Sequence, residues 1–249
     1  MYKIFKTIKQ DRLFNLSVAN LGNWKFDKKV AAVFPSMVQR SIPGYINIIT
    51  MIGMLAARYV KENSKIYDLG CSVGTAILSI QRNIKVKNCK IIAIDNSDAM
   101  IRLCKKYVYS NKSKIQIKII QDDIFNVNIS NASIVILNFT LQFIPIDMRQ
   151  QLINRIYDGL IPGGILIMSE KFYFNNKVMN TLYCNMHYDY KKANGYSDLE
   201  IKQKKYMLKH MMYIDSINTH KNRLMLAGFR KYDLWFQCFN FGSILAFKD

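Results

Sequence analysis

From Lys65 onward, short runs of Ile, Val and Leu alternate with amphipathic runs, the pattern of a parallel sheet covered by helices. Strands are predicted over 65–70, 89–96, 115–123, 133–141 and 164–172. Their near-continuous apolar character suits strands buried on both faces. Helices are predicted over 75–84, 97–110 and 147–160, with Ser97 as an N-cap and Pro162-Gly163-Gly164 as a stop before the fifth strand. The last 18 residues, 232–249, predict two strands joined around Asn240–Gly242, a terminal hairpin. Residues 1–60 and 173–228 fall outside the alternation and read as helical; Val30, Phe34, Met37 and Val38 recur at helical spacing. Ligands of open α/β sheets sit outside the carboxyl ends of the strands, so such extra helices would cover that crevice as a lid. The expectation is one α/β domain over 1–249: a helical cap (1–60), a core sheet (65–172), a helical insertion (173–228) and the hairpin (229–249). The sheet would be Rossmann-like, doubly wound, seven-stranded and mostly parallel, with an antiparallel C-terminal hairpin.

Composition narrows the class. Half of the 249 residues are hydrophobic and 21% are charged, with 11 Gly and 4 Pro, which excludes a disordered chain, a collagen-like repeat and a disulfide mini-scaffold. The net charge of +19 is 36 Lys+Arg less 17 Asp+Glu. It admits a nucleic-acid surface. The 27 Lys against 9 Arg, with 22 Asn, equally fit AT-rich codon drift that spreads lysines over every solvated face. Five cysteines (Cys71, Cys89, Cys104, Cys184, Cys238) without CxxC spacing indicate neither disulfides nor a zinc site. The first residues lack the apolar core of a secretory signal. The most apolar stretch, 45–60, has 16 residues and contains Arg58, short of the ~20 that a membrane span needs. A cytoplasmic protein without membrane association is expected.

Candidate chemistry gathers at the strand ends. Asp68-Leu69-Gly70-Cys71-Ser72-Val73-Gly74-Thr75 follows the first strand and opens a helix, where glycines let backbone approach a ligand. The order is not the dinucleotide G-x-G-x-x-G. It resembles the first motif of S-adenosylmethionine (SAM)-dependent enzymes, with Ser72 in place of the middle Gly. Asp95 ends the second strand, 25 residues after Gly70, where a carboxylate accepts ribose hydroxyls and disfavours a 2′-phosphate. Asn96 follows it. Asp123-Ile124, at the end of the third strand, offers a carboxylate to an adenine amino group and an apolar face to the ring. Asn138 ends the fourth strand. One such Asp would read as a helix cap or turn; four polar residues at four successive strand ends point to a nucleoside cofactor. His187, His210 and His220 lack a Ser or Cys partner and receive no catalytic role, and no Cys/His cluster supports a metal.

Stretches 24–45, 89–100, 137–143, 185–196 and 234–243 (WKFDKKVAAVFPSMVQRSIPGY, CKIIAIDNSDAM, LNFTLQF, NMHYDYKKANGY and LWFQCFNFGS) resemble the carboxy-S-adenosyl-L-methionine synthase family, within the class I SAM-dependent methyltransferase fold superfamily. The resemblance runs from about Leu21 to Lys248. It implies SAM contacts at Tyr45, Gly70, Cys71, Ser72, Asp95, Asn96, Asp123, Ile124 and Asn138. It implies the reaction of SAM with prephenate to give carboxy-S-adenosyl-L-methionine (carboxy-SAM) and phenylpyruvate, without metal. It further implies a homodimer that hands carboxy-SAM to a partner enzyme building the oxyacetic acid group on tRNA wobble uridine, with no direct nucleic-acid contact required. Where the family has Arg in a Q-K-R motif that grips the new carboxylate, this chain has Lys205 after Gln203-Lys204. Lysine keeps the charge but loses the bidentate fork. If Lys205 does not serve, Arg40, Lys204 or Arg223 are the alternatives. An ordinary SAM methyltransferase and a tRNA-binding module are the competing readings.

Overall fold

The computed structural model describes residues 10–16, 24–111 and 113–249. Helices α1 (Lys28–Ser41) and α2 (Tyr45–Tyr59) precede β1 (Lys65–Leu69), α3 (Thr75–Asn83), β2 (Lys90–Asp95), α4 (Asp98–Ser110), β3 (Gln116–Gln121) and β4 (Ala132–Asn138). Then follow α5 (Arg149–Gly159), β5 (Leu160–Tyr173), α6 (Lys177–Ala193), α7 (Asp198–Leu208), β6 (Asp215–Ser216), α8 (Ile217–Ala227), β7 (Lys231–Cys238) and β8 (Phe241–Phe247). The strand order is β3-β2-β1-β4-β5-β8-β7. β1 to β5 are parallel, whereas β8 runs antiparallel to β5 and β7. This is the doubly wound sheet the pattern predicts, with the two-residue β6 added on β5.

Apolar residues fill both faces. Ile48, Ile52, Ile77, Ile80 and Ile91 pack under α2 to α4, and Leu152, Ile156, Leu224 and Phe229 pack under α5 and α8. Thus α8 is a sheet-covering helix, and only α6 and α7 of segment 173–228 stand outside the layers. Several boundaries differ from the pattern, among them β3, which ends at Gln121 and leaves Asp123 in the turn beyond it. Pro162-Gly163-Gly164 lies inside β5, because the helix stops at Gly159, where a Cβ would meet Ile129 backbone at 2.5 Å. β4 ends at Asn138 because Phe139 turns to φ 60°. The hairpin turns on Phe239-Asn240, since Cys238 pairs with Phe241 and Gly242 is already in β8.

A third cluster joins cap, lid and glycine bend: Phe14, Trp24, Val30 and Met37 pack with Val73 and Met100, and Met207, Leu208 and Met211 lie against them. A buried polar clasp reinforces it. The Lys204 ammonium lies 2.8 Å from Asp11 Oδ2 and 3.1 Å from the Tyr196 hydroxyl, which donates to the same carboxylate. Arg40 donates to the carbonyls of Asp11 (2.6 Å) and Asn194 (2.7 Å), its guanidinium 3.9 Å above the Tyr196 ring.

Candidate active site

The β1–α3 bend is shaped by close approach. Gly70 adopts φ 79°, and a Cβ there would lie 2.5 Å from Thr140 Oγ1, so only glycine fits between β1 and the loop after β4. The N–H groups of Gly70 and Cys71 both donate to the Ile94 carbonyl, at 2.8 and 2.9 Å. The N–H of Ser72, itself at φ 50°, donates to Asp95 Oδ2 at 2.9 Å. These amides therefore fasten the bend to β2 and are not aimed at a ligand.

Asp95 is held from both sides, since the Ser97 N–H donates to its Oδ1 at 2.9 Å. Each carboxylate oxygen keeps a second lone pair for a ribose hydroxyl. Burial pushes its pKa up, opposed by those two amides. Asp68, at the end of β1, is buried and its Oδ2 has no partner. Burial, with the nearby Asp95 charge, lifts it to about 7. Asn138 Oδ1 is likewise buried without a partner. Tyr45 begins α2, its hydroxyl bonded to Thr75 and its pKa raised by burial. Its ring lies 6.3 Å from Phe139, the residue after Asn138.

Tyr45, Gly70, Cys71, Ser72, Asp95 and Asn138 thus converge at the carboxyl ends of β1, β2 and β4. Asn96 lines a neighbouring cleft of about 520 Å³ with Trp24, Phe26, Ala99 and Met211. Asp123 is exposed in the turn beyond β3, accepting the Phe125 N–H at 2.8 Å. Ile124 points into the core. Two buried, unpartnered oxygens beside a fastened carboxylate suit a ligand that brings hydroxyls, an amine and positive charge, as SAM does. Asp68 was not among the sequence-implied contacts, although its place directly before the glycine bend was the signal.

The loop after β4 is fixed from below. Glu170 accepts the N–H groups of Leu141 (2.8 Å) and Gln142 (3.1 Å). Arg149, fully buried, donates to the carbonyls of Ile144 and Tyr213 and pairs with Asp215 at 2.6 Å.

Lys205 is exposed on α7, and its charge helps lower the pKa of Lys171 on β5 and of Lys191 on α6. The alternatives to it are committed elsewhere: Lys204 and Arg40 form the clasp, and Arg223 pairs with Asp215 at 3.0 Å. The His187 Nε2 lies 2.8 Å from the Ser41 carbonyl, and His220 is buried beside Arg223. Among the described residues, no three His, Cys, Asp or Glu gather to hold a metal, and no helix is long and apolar enough to cross a membrane.

A family model described as a methyltransferase domain matches residues 66–164. A protein of Erwinia tasmaniensis named carboxy-S-adenosyl-L-methionine synthase is 57% identical over 239 residues, 96% of this chain and 97% of that one. A protein of the same name from Photorhabdus laumondii is 55% identical, over 96% and 95% of the two chains. Among solved structures, an O-methyltransferase family protein from Burkholderia thailandensis superposes with TM-score 0.64 at 13% identity, over 90% of this chain and 61% of that one. The cyclopropane synthase MmaA2 from Mycobacterium tuberculosis gives 0.57 at 10% identity, over 75% and 62%. These structures share the fold.

Proposed function

The chain belongs to the carboxy-S-adenosyl-L-methionine synthase family, and from that premise we propose that it converts SAM and prephenate into carboxy-SAM, phenylpyruvate and water, the hydroxyl lost by prephenate taking up the methyl proton. It is an enzyme of the methyltransferase fold that transfers a carbon group. The observation that carries the reading is the buried Asp68 Oδ2 and Asn138 Oδ1, both unpartnered beside the doubly held Asp95.

SAM supplies a sulfonium that acidifies the methyl group destined to receive the carboxyl. The protein's part is to hold and to exclude. Asp95 orients the ribose, Asn138 accepts a polar group of the nucleoside or amino-acid end, and the Asp68 carboxylate offsets the ligand's positive charge. Asp123 and Asn96 serve from the rim, while Ile124 supports the adenine side from within the core. The α6–α7 lid keeps water from the carbon that must meet carbon dioxide. Lys205 anchors the new carboxylate by a single strong ion pair.

A homodimer is part of this reading. The Val178, Leu182 and Met186 stripe on α6, 76%, 47% and 38% exposed, offers an apolar face for a second copy. The product would pass to a tRNA-modifying enzyme that builds the wobble-uridine oxyacetic acid group, without this chain binding the RNA, in the cytoplasm.

The test is incubation with SAM and prephenate without added metal, followed by mass spectrometry of the nucleoside. A product heavier than SAM by one carboxyl group, together with phenylpyruvate, is expected. S-adenosylhomocysteine with a methylated acceptor and no carboxylated nucleoside would overturn the reading in favour of methyl transfer.

A further inference from the structure

A row of buried aromatic rings runs from Tyr45, beside the candidate cofactor site, towards α6. Tyr45 packs on Phe139, and Phe139 packs on Phe241 with ring centres 6.1 Å apart. Phe241 pairs in register with Lys171 of β5, whose ammonium lies 5.6 Å from the Phe241 ring centre. His187 of α6 closes on the same ring from above, at 4.7 Å. Lys191 lies one turn further along α6; burial first, and then the charges of Lys171, Lys204 and Lys205 of α7, lower its pKa, and burial and then Lys205 lower that of Lys171.

The buried anions of this region are spoken for. Asp11 is bound by Lys204, and Glu200 caps α7 through the Ser197 N–H. Glu170, next to Lys171 in sequence, points through the sheet to the amides of Leu141 and Gln142. Among the described residues, no carboxylate lies within ion-pair distance of Lys171, Lys191 or Lys205. Half-buried ammonium groups with no counter-charge are unfavourable in the free protein. An anion of matching charge would reverse that. Drift that spreads lysines over solvated faces gives no reason for two half-buried ones, from different elements, to meet at the end of this aromatic row.

We propose that Lys171 and Lys191 form the binding site for the carboxylates of a small dicarboxylate co-substrate, placed beside Lys205. The site rests on the co-substrate being a dicarboxylate, as the proposed reaction requires. It puts the carboxylate that is lost close to the cation that will hold the carboxylate that is gained, so the carbon dioxide crosses a short, water-poor gap.

The experiment compares wild type with Lys171→Met, Lys191→Met and the arginine variants at both positions. SAM and carboxy-SAM affinities are measured by calorimetry, prephenate binding to the SAM-loaded protein likewise, and KM for prephenate by product formation. Each methionine variant should raise the prephenate KM and dissociation constant about tenfold or more, the loss of one charged hydrogen bond. SAM affinity should stay within about twofold, and arginine should restore most of the loss. Lys191 faces Lys171, Lys204, Lys205, Cys184 and His187; burial and then the neighbouring lysines bring its pKa to about 8. Prephenate affinity should therefore weaken above pH 8, and Lys191→Arg should move that weakening upward.

Unchanged prephenate constants in both methionine variants would overturn the proposal while leaving carboxy-SAM formation intact. A loss of SAM affinity in step with that of prephenate would overturn it too, assigning the lysines to the cofactor's own carboxylate. Lysine-dependent prephenate binding without carboxy-SAM formation would support the site and refute the reaction. If wild type neither binds nor converts prephenate, both fall.

Discussion

Replacing Asp68 by Asn tests whether a cation settles beside the buried carboxylate at the end of β1. Burial and the Asp95 charge bring the Asp68 pKa to about 7, so at pH 6.5 about three quarters of free molecules carry a proton there. A positive ligand within a few ångströms favours the carboxylate and lowers such a pKa by roughly 1–3 units. Taking two, SAM binding at pH 6.5 should expel about 0.7 proton. Affinity should then rise with pH through this range, by about 2.7 kcal/mol in all between the bound and free pKa values. The stability sign runs the other way. The unfolded chain deprotonates this residue near 3.8 while the fold retains the proton to about 7, so stability of the free protein declines as pH climbs across that window. Calorimetry in two buffers of different ionisation enthalpy counts the expelled protons. Asp68→Asn imitates the protonated group in size and charge, and should abolish proton release and flatten the pH dependence. Undiminished release in the variant would refute the assignment and transfer the titration to Asp95, the other carboxylate here whose pKa is raised.

Three further outcomes are expected. Gly70→Ala, forced to keep φ 79° with its Cβ 2.5 Å from Thr140 Oγ1, should cost at least about 1–2 kcal/mol from the left-handed backbone alone and weaken SAM binding, by denaturation and calorimetry. Lys204→Met strands the Asp11 carboxylate, 1% exposed, and should cost about 3–5 kcal/mol in denaturation experiments, a loss that Asp11→Asn in the same chain should lessen. Lys205→Ala should lower the ratio of carboxy-SAM to SAM affinity by about 1.5–3 kcal/mol, while Lys205→Arg should hold or raise it; a ratio unmoved in both variants would leave Lys205 a solvated lysine.

What could be read from the chain was whatever nearest neighbours decide. The parallel, doubly covered sheet followed from alternation, because each apolar run needs cover on both faces. The candidate cofactor residues stood at strand ends, where the doubly wound fold puts ligands. The misplaced limits came from tertiary contact overriding local signals. α5 ends at Gly159, where Ile129 leaves no room for a side chain, and nothing adjacent to Pro162 announces it. Ile217–Ala227 resembles its lid neighbours in composition, yet packs on α5. At Asp95 the residue type was legible but not its second task, since the donors, Ser72 and Ser97, are set by two separate loops. Lys171 looked like one of many lysines; its significance lies in Phe241 and Lys191, contributed by other elements.

The clasp between Asp11 and Lys204 joins positions 193 apart, so neither partner can find the other until the sheet between them is built. It is then the last part of the molecule to assemble and the first that can come apart without disturbing the strands. Residues 10–16 and α7 should behave as one cooperative unit, exchanging their amide hydrogens together and well before those of β1 and β4. The interval between such openings would set how long a nucleoside stays bound, independently of how tightly its individual groups are held.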